Sequence, residues 1–160
     1  MSKISQNLQL AINNLEIKNI FINKSVAEHV NGDPLFTDFE NVFIDLSHQV
    51  KKSVVLSDTE NKKQLLRIYI SFGVEWKEEQ NSDEVLSQIA VEYILEYALK
   101  KELSQDCIDE FALKNSMVHV WPYWREYVAS LCDRLNLPKI TLPTVQLKHH
   151  SRANKLDKSE

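Results

Sequence analysis

Residues 66–76 read LRIYISFGVEW. Leu66, Ile68, Ile70, Phe72, Val74 and Trp76 take every second position, opposed by Arg67, Tyr69, Ser71, Gly73 and Glu75. Successive side chains of a strand point to opposite faces, so this alternation predicts a strand with one continuous apolar face. Such a face must be covered by a second layer. Gly73 within the run predicts a bulge or a close approach of backbone.

Weaker alternations flank it. Leu8, Leu10 and Ile12 alternate with polar or small residues, and after Asn13-Asn14 the pattern restarts in a shifted phase with Leu15, Ile17, Ile20 and Ile22. This predicts one extended strand, bulged near the double Asn. Asn31-Gly32-Asp33-Pro34 is a turn or loop. Val42, Ile44, Leu46, His48 and Val50 predict a further strand, and 57–61 (SDTEN) a polar connection. Residues 85–99 fit two patterns. Val85, Leu86, Ile89, Ala90, Tyr93, Ile94 and Tyr97 make a helical stripe, which local spacing favours, whereas the β-branched and aromatic content favours a strand.

Ser104 is placed to cap a helix carrying Ile108, Phe111, Ala112, Asn115 and Val118. Pro122 lacks an N–H and disfavours helical geometry at Trp121, so it predicts a break, with a second helix starting at Pro122. Tyr127, Val128, Leu131 and Leu135 form that helix's stripe, 136–138 ends it, and 140–142 is a short extended piece. Strands followed by helices define an α+β chain with an antiparallel sheet. One domain is expected over 1–145. Residues 146–160 are polar and without periodicity, and are expected to form a disordered tail.

Composition removes several function classes. Two glycines in 160 residues leave no room for a P-loop, a dinucleotide fingerprint or a G-x-S-x-G elbow. A net charge of −4 gives no basic footprint for nucleic acid. No apolar run is long enough to span a membrane, and the first ten residues lack a secretory h-region, so a cytoplasmic protein without membrane insertion is expected. Cys107 and Cys132 match no metal or redox spacing and are expected to be buried reduced thiols. His149-His150, with Lys148 and Arg152, are assigned to a solvated tail rather than a metal site. His48 has no partner at a suggestive spacing for general-base work. The Lys62-Lys63 and Lys100-Lys101 pairs are assigned to solvated faces. No catalytic residue, metal or cofactor is expected.

One group resists this treatment. Trp121, Tyr123, Trp124 and Tyr127 fall within seven residues, and Phe72 and Trp76 share a strand face. Positions 123 and 124 cannot both face one core from a helix. Part of the set Phe72, Trp76, Trp121, Tyr123, Trp124 and Tyr127 is therefore expected to line a polypeptide-binding groove or a subunit interface.

The same stretch resembles the SecB family of protein-export chaperones. That family carries an F-P-Y-x-R-E helix start, a later Arg, and a P-x-L-x-L segment. Here the order is Trp121-Pro122-Tyr123-Trp124-Arg125-Glu126, then Arg134, then Pro138-Lys139-Ile140-Thr141-Leu142-Pro143. The ribbon 15–23, LEIKNIFIN, is similar to the family's first strand. The resemblance implies a four-stranded antiparallel sheet with a long kinked C-terminal helix, 85–99 as the fourth strand, and a homotetramer built as a dimer of dimers. It implies a nucleotide-independent holdase for unfolded client polypeptides or preproteins, and no enzyme. Two departures follow. Acids that help dock the translocation motor SecA correspond to Asn19 and Asn23, both neutral, with Glu92 a possible counterpart of a further acid; loss of charge-assisted contacts weakens that docking. The family's second helix is lost after Pro143. A dedicated chaperone of one partner such as an antitoxin, or an assembly protein keeping only the fold, is the alternative.

Overall fold

The computed structural model describes residues 4–143. The expected tail 146–160, the expected loss of a second helix after Pro143, and His149 and His150 lie outside them. Along the chain come helix α1 (Gln6–Asn14), strand β1 (Leu15–His29), two short 3-10 turns (Pro34–Phe36 and Phe39–Asn41), strands β2 (Phe43–Asp58), β3 (Lys63–Lys77) and β4 (Ser87–Leu99), and helices α2 (Gln105–Lys114) and α3 (Ser116–Arg134). The strands form one antiparallel sheet in the order β1-β4-β3-β2. β1 and β2 are its edges, joined by the crossover of residues 30–42. The helices leave one face of the sheet open, giving a two-layer α+β fold.

β3 and β4 carry the core. Leu66, Ile68, Ile70, Phe72, Val74 and Trp76 are all buried, as are Ile89, Val91, Tyr93, Leu95 and Tyr97 on the same face of β4. Against them pack Phe111 of α2 and Val120, Trp124, Val128 and Cys132 of α3, spaced three or four residues apart as one helix face requires. Burying each large apolar side chain stabilises the fold by about 1.5–3 kcal/mol. Residues 85–99 form a strand, not the helix their local spacing favours. β4 lies between β1 and β3, and their side chains shield Ile94 and Glu96 on the open face as well, so β4 loses the simple burial alternation that β3 keeps.

Gly73 sits in regular register opposite Ser47, without a bulge. A Cβ there would stand 2.7 Å from Ser47 Oγ, so the glycine permits a close approach on the open face.

Two expectations for local structure are corrected. Residues 6–14 are helical rather than the start of a long strand. Ser5 caps this turn through a hydrogen bond donated by the Leu8 N–H, and Leu8, Ala11, Ile12 and Leu15 lie on the inward stripe. The change of phase at Asn13-Asn14 is a helix end, with the Asn14 side chain donating to the Leu10 carbonyl. The bulges of β1 fall later, at Lys18 and Asn23, and keep Ile17, Ile20 and Ile22 on the helix side.

The second correction concerns Pro122, which lies inside α3 and not at its start. The break comes at Asn115, which ends α2 and precedes α3 with a backbone N–H to the Phe111 carbonyl. Asn competes with its own backbone and ends helices readily. Pro122 is exposed, and α3 runs through it, bent but unbroken.

Candidate functional site

The aromatic group divides by helical geometry. Trp124 points inward and stacks on Phe72, with ring centroids 5.1 Å apart and planes 20° apart. Phe72, Trp76 and Trp124 are buried in the single chain. Trp121 is half-buried one step round the helix, edge-on to Phe72 at 6.1 Å. Its Nε1–H donates to the Pro143 carbonyl at 2.7 Å, which ties the segment after α3 back along the helix. Tyr127 is half-buried, edge-on to Tyr93. Only Tyr123 projects outward, at 52% exposure. The sequence argument that 123 and 124 face different ways holds, but most of the set is core.

The exposed apolar surface lies elsewhere. Leu35 and Phe36, in the crossover, are 79% and 83% exposed. On β2, Ile44 and Leu46 belong to the helix-facing side, paired with the buried Trp76 and Val74, yet Leu46 is 49% exposed. His48, next along this row, is exposed too, its ring 6.3 Å from that of Phe72. Helix α3 lies over β4, and α2 reaches β2 only towards the other end of the sheet, near Tyr97. A row of exposed side chains therefore runs along β2 beside the core, and the crossover that precedes this strand exposes Leu35 and Phe36. Alternation had placed Ile44, Leu46 and His48 on one apolar side; it carried no information that this strand is an uncovered edge.

The open sheet face is polar where β1 meets β4. Asn23 Nδ2 donates to Glu92 Oε1 at 2.7 Å, and Asn19 Nδ2 donates to Glu96 Oε1 at 3.1 Å. Arg67 Nε donates to the other oxygen of Glu96 at 2.7 Å, a charge-assisted contact. The structure thus joins Asn23 to Glu92, whereas Asn19 meets Glu96, which the sequence had not singled out. Each amide satisfies a carboxylate on the neighbouring strand.

Among the described residues His48 has no hydrogen-bonded partner, and no three His, Cys, Asp or Glu side chains converge. Cys107 and Cys132 are free and buried, and burial pushes the Cys132 thiol up. Among the described residues no helix is long and apolar enough to cross a membrane.

No family model matches the chain, and no curated protein matches it. Among solved structures, the fold matches that of SecB-like chaperones: the chain is a SecB-like fold, as the resemblance implied. The particular match is a SecB-like chaperone of Mycobacterium tuberculosis, determined in complex with a ChAD peptide from the HigA1 antitoxin. It has a TM-score of 0.65 at 17% identity, covering 88% of this chain and 97% of that one. A protein of unknown function from Streptococcus agalactiae is also similar, with a TM-score of 0.41 at 13% identity, covering 81% and 98%; this likeness is too slight to carry an argument.

Proposed function

We propose that the chain is a nucleotide-independent chaperone, not an enzyme, that holds an unfolded or partly folded client polypeptide. The observation that carries this reading is the apolar band of Leu35, Phe36, Ile44 and Leu46. Large apolar side chains exposed in this number on a folded domain serve association. An extended client segment can lay alternate side chains on the band while its backbone bonds to the free edge of β2. Neither step needs nucleotide. By resemblance the working form is a cytoplasmic homotetramer, a dimer of dimers.

Within this reading a dedicated client is favoured over general protein export. Asn19 and Asn23 stand where export members carry acids, and both amides are already bonded to carboxylates of β4. A motor contact through SecA would find less negative charge there. The SecB-like neighbour was captured with an antitoxin peptide, which agrees with a single partner for this chain too. Suppression of aggregation is the direct test. Light scattering from a thermally aggregating client should fall at stoichiometric protein without added nucleotide; unchanged scattering rejects the holdase. Co-purification with one small protein supports a dedicated role, whereas a spread of preproteins supports export.

A further inference from the structure

The second surface lies on the open sheet face, at the end formed by the β2–β3 turn. Leu56 pairs with Leu65 and Leu65 with Ala98, so their side chains share that face and make a short apolar floor. Around it is a cleft of about 960 Å³, near the upper end of ordinary ligand sites, about 300–1,000 Å³. Its rim holds five lysines, Lys18, Lys62, Lys63, Lys100 and Lys101, against the carboxylates of Asp58 and Glu102. The sequence keeps these lysines in three separate places, each of them unremarkable; the register of β1, β4 and β3 gathers them. The chain as a whole carries a net charge of −4, so this end is a cationic pole on an acidic protein.

Carboxylates offset part of this charge, Asp58 acting on Lys63 and Glu16 on Lys18 and Lys100, but the lining holds five lysines against two acids. Asp58 is engaged by its own turn: Oδ1 accepts the Glu60 and Asn61 N–H groups and Oδ2 accepts the Asn61 side chain. That turn holds Lys62 at φ 52° and fixes where Lys62 and Lys63 emerge. On the other side, the Lys100 N–H donates to the Asn14 carbonyl at 2.9 Å and anchors the second pair. Lys18 is paired with Glu16, but Lys62, Lys63, Lys100 and Lys101 make no ion pair among the described residues. An excess of ammonium groups over carboxylates thus surrounds an aliphatic floor.

We propose that this cleft docks an acidic polypeptide segment, its carboxylates meeting the lysines and an aliphatic side chain resting on Leu56, Leu65 and Ala98. The floor decides against nucleic acid. No aromatic side chain lines the cleft to stack on bases. The site is separate from the apolar band on β2 and does not depend on the holdase reading.

The test is fluorescence anisotropy with a labelled peptide alternating Glu and Val, its Gln-Val analogue, and a single-stranded oligonucleotide of equal charge. The full chain should bind the acidic peptide, with affinity falling as salt rises from about 50 to about 500 mM. The variant K62Q/K63Q/K100Q/K101Q changes only exposed side chains, and circular dichroism checks that it folds. It should bind about tenfold more weakly, the combined effect of four exposed charge pairs. The Gln-Val analogue should weaken to the same degree, and Leu46→Glu on the apolar band should leave binding unchanged. Equal binding of the two peptides, or unaltered binding by the lysine variant, overturns the proposal. Tighter binding of the oligonucleotide also overturns it and makes the cleft a phosphate site. Should the fourfold variant misfold, the pairs K62Q/K63Q and K100Q/K101Q carry the same test.

Discussion

His29 at the end of β1 lies 2.9 Å, through Nε2, from the carbonyl oxygen of Leu135, the residue that caps α3. A carbonyl only accepts, so Nε2 carries the proton, and in the neutral ring Nδ1 accepts from the hydroxyl of buried Ser87 at 2.7 Å. One imidazole thereby joins an edge strand, the start of a central strand and the end of the longest helix. His29→Ala leaves the Ser87 hydroxyl and the Leu135 carbonyl without this partner. We expect a loss of about 1–3 kcal/mol, read as a lower urea midpoint with an unchanged slope. A midpoint within error of wild type would show that water replaces the ring.

His119 supplies a pH dependence. Its Nδ1 lies 2.8 Å from the hydroxyl of Tyr97, and burial holds its pKa below the usual 6.5. Between that lowered value and 6.5 the unfolded chain binds more protons than the folded one, so stability rises with pH in this window. Acidification from pH 7 should cost stability from about 6.5 downward, with a slope of at most about 1.4 kcal/mol per pH unit. His119→Gln should flatten that segment of a urea-midpoint against pH curve. The loss below the carboxylate range, where Glu110 is held low by Lys114, should persist.

The tryptophans should differ in solvent access. Acrylamide should quench Trp121 and leave Trp76 and Trp124 shielded, so W121F loses most of the quenchable emission. Trp124→Ala removes the ring stacked on Phe72 and should destabilise by about 3–5 kcal/mol. Tyr123→Ala should fall within about 0.5 kcal/mol of wild type. Equal effects at 123 and 124 would contradict the packing of α3.

Apolar-to-charged changes on the band should separate holding from folding. Phe36→Asp and Leu46→Glu replace exposed side chains, so thermal midpoints should move by only a few degrees. Suppression of client aggregation should fall severalfold, because a desolvated charge opposes an apolar segment at that spot. Retained suppression would move the client site away from β2.

Asn23→Asp places a carboxylate against Glu92, whose partner atom is 2.7 Å away. The exposed pair should cost about 0.5–1 kcal/mol at neutral pH, and the cost should shrink as acid protonates one group. Chemical denaturation at two pH values checks the sign. The amide here is more than a lost acid, since it completes a bond across β1 and β4.

Regular alternation made β3 legible residue by residue, because a strand with one buried face writes its period into the chain. The Ser104 cap and the stripe Tyr127, Val128, Leu131 and Leu135 were legible from local spacing too, although Pro122 hid that one helix runs from Ser116 to Arg134, and the motif order around Pro122 carried the fold resemblance. Contacts distant in sequence settled the rest. Burial on both faces erased the alternation of β4, so only its place between β1 and β3 made it a strand. Helix 6–14 looked extended because its inward stripe is short and Ala11 alone is fully buried. Phe72, Trp76 and Trp124 seemed available to a partner until α3 was laid on the sheet and closed over them. The open apolar residues of β2 differ from the buried ones of β3 in position, not in type: β2 is an edge that no helix crosses at that end. Composition could not reveal the lysine cleft, since ammonium groups from three separate segments meet only when the strands are in register. Local chemistry set the elements and their apolar faces, while the order of strands and the path of α3 decided which of those faces remain free to bind.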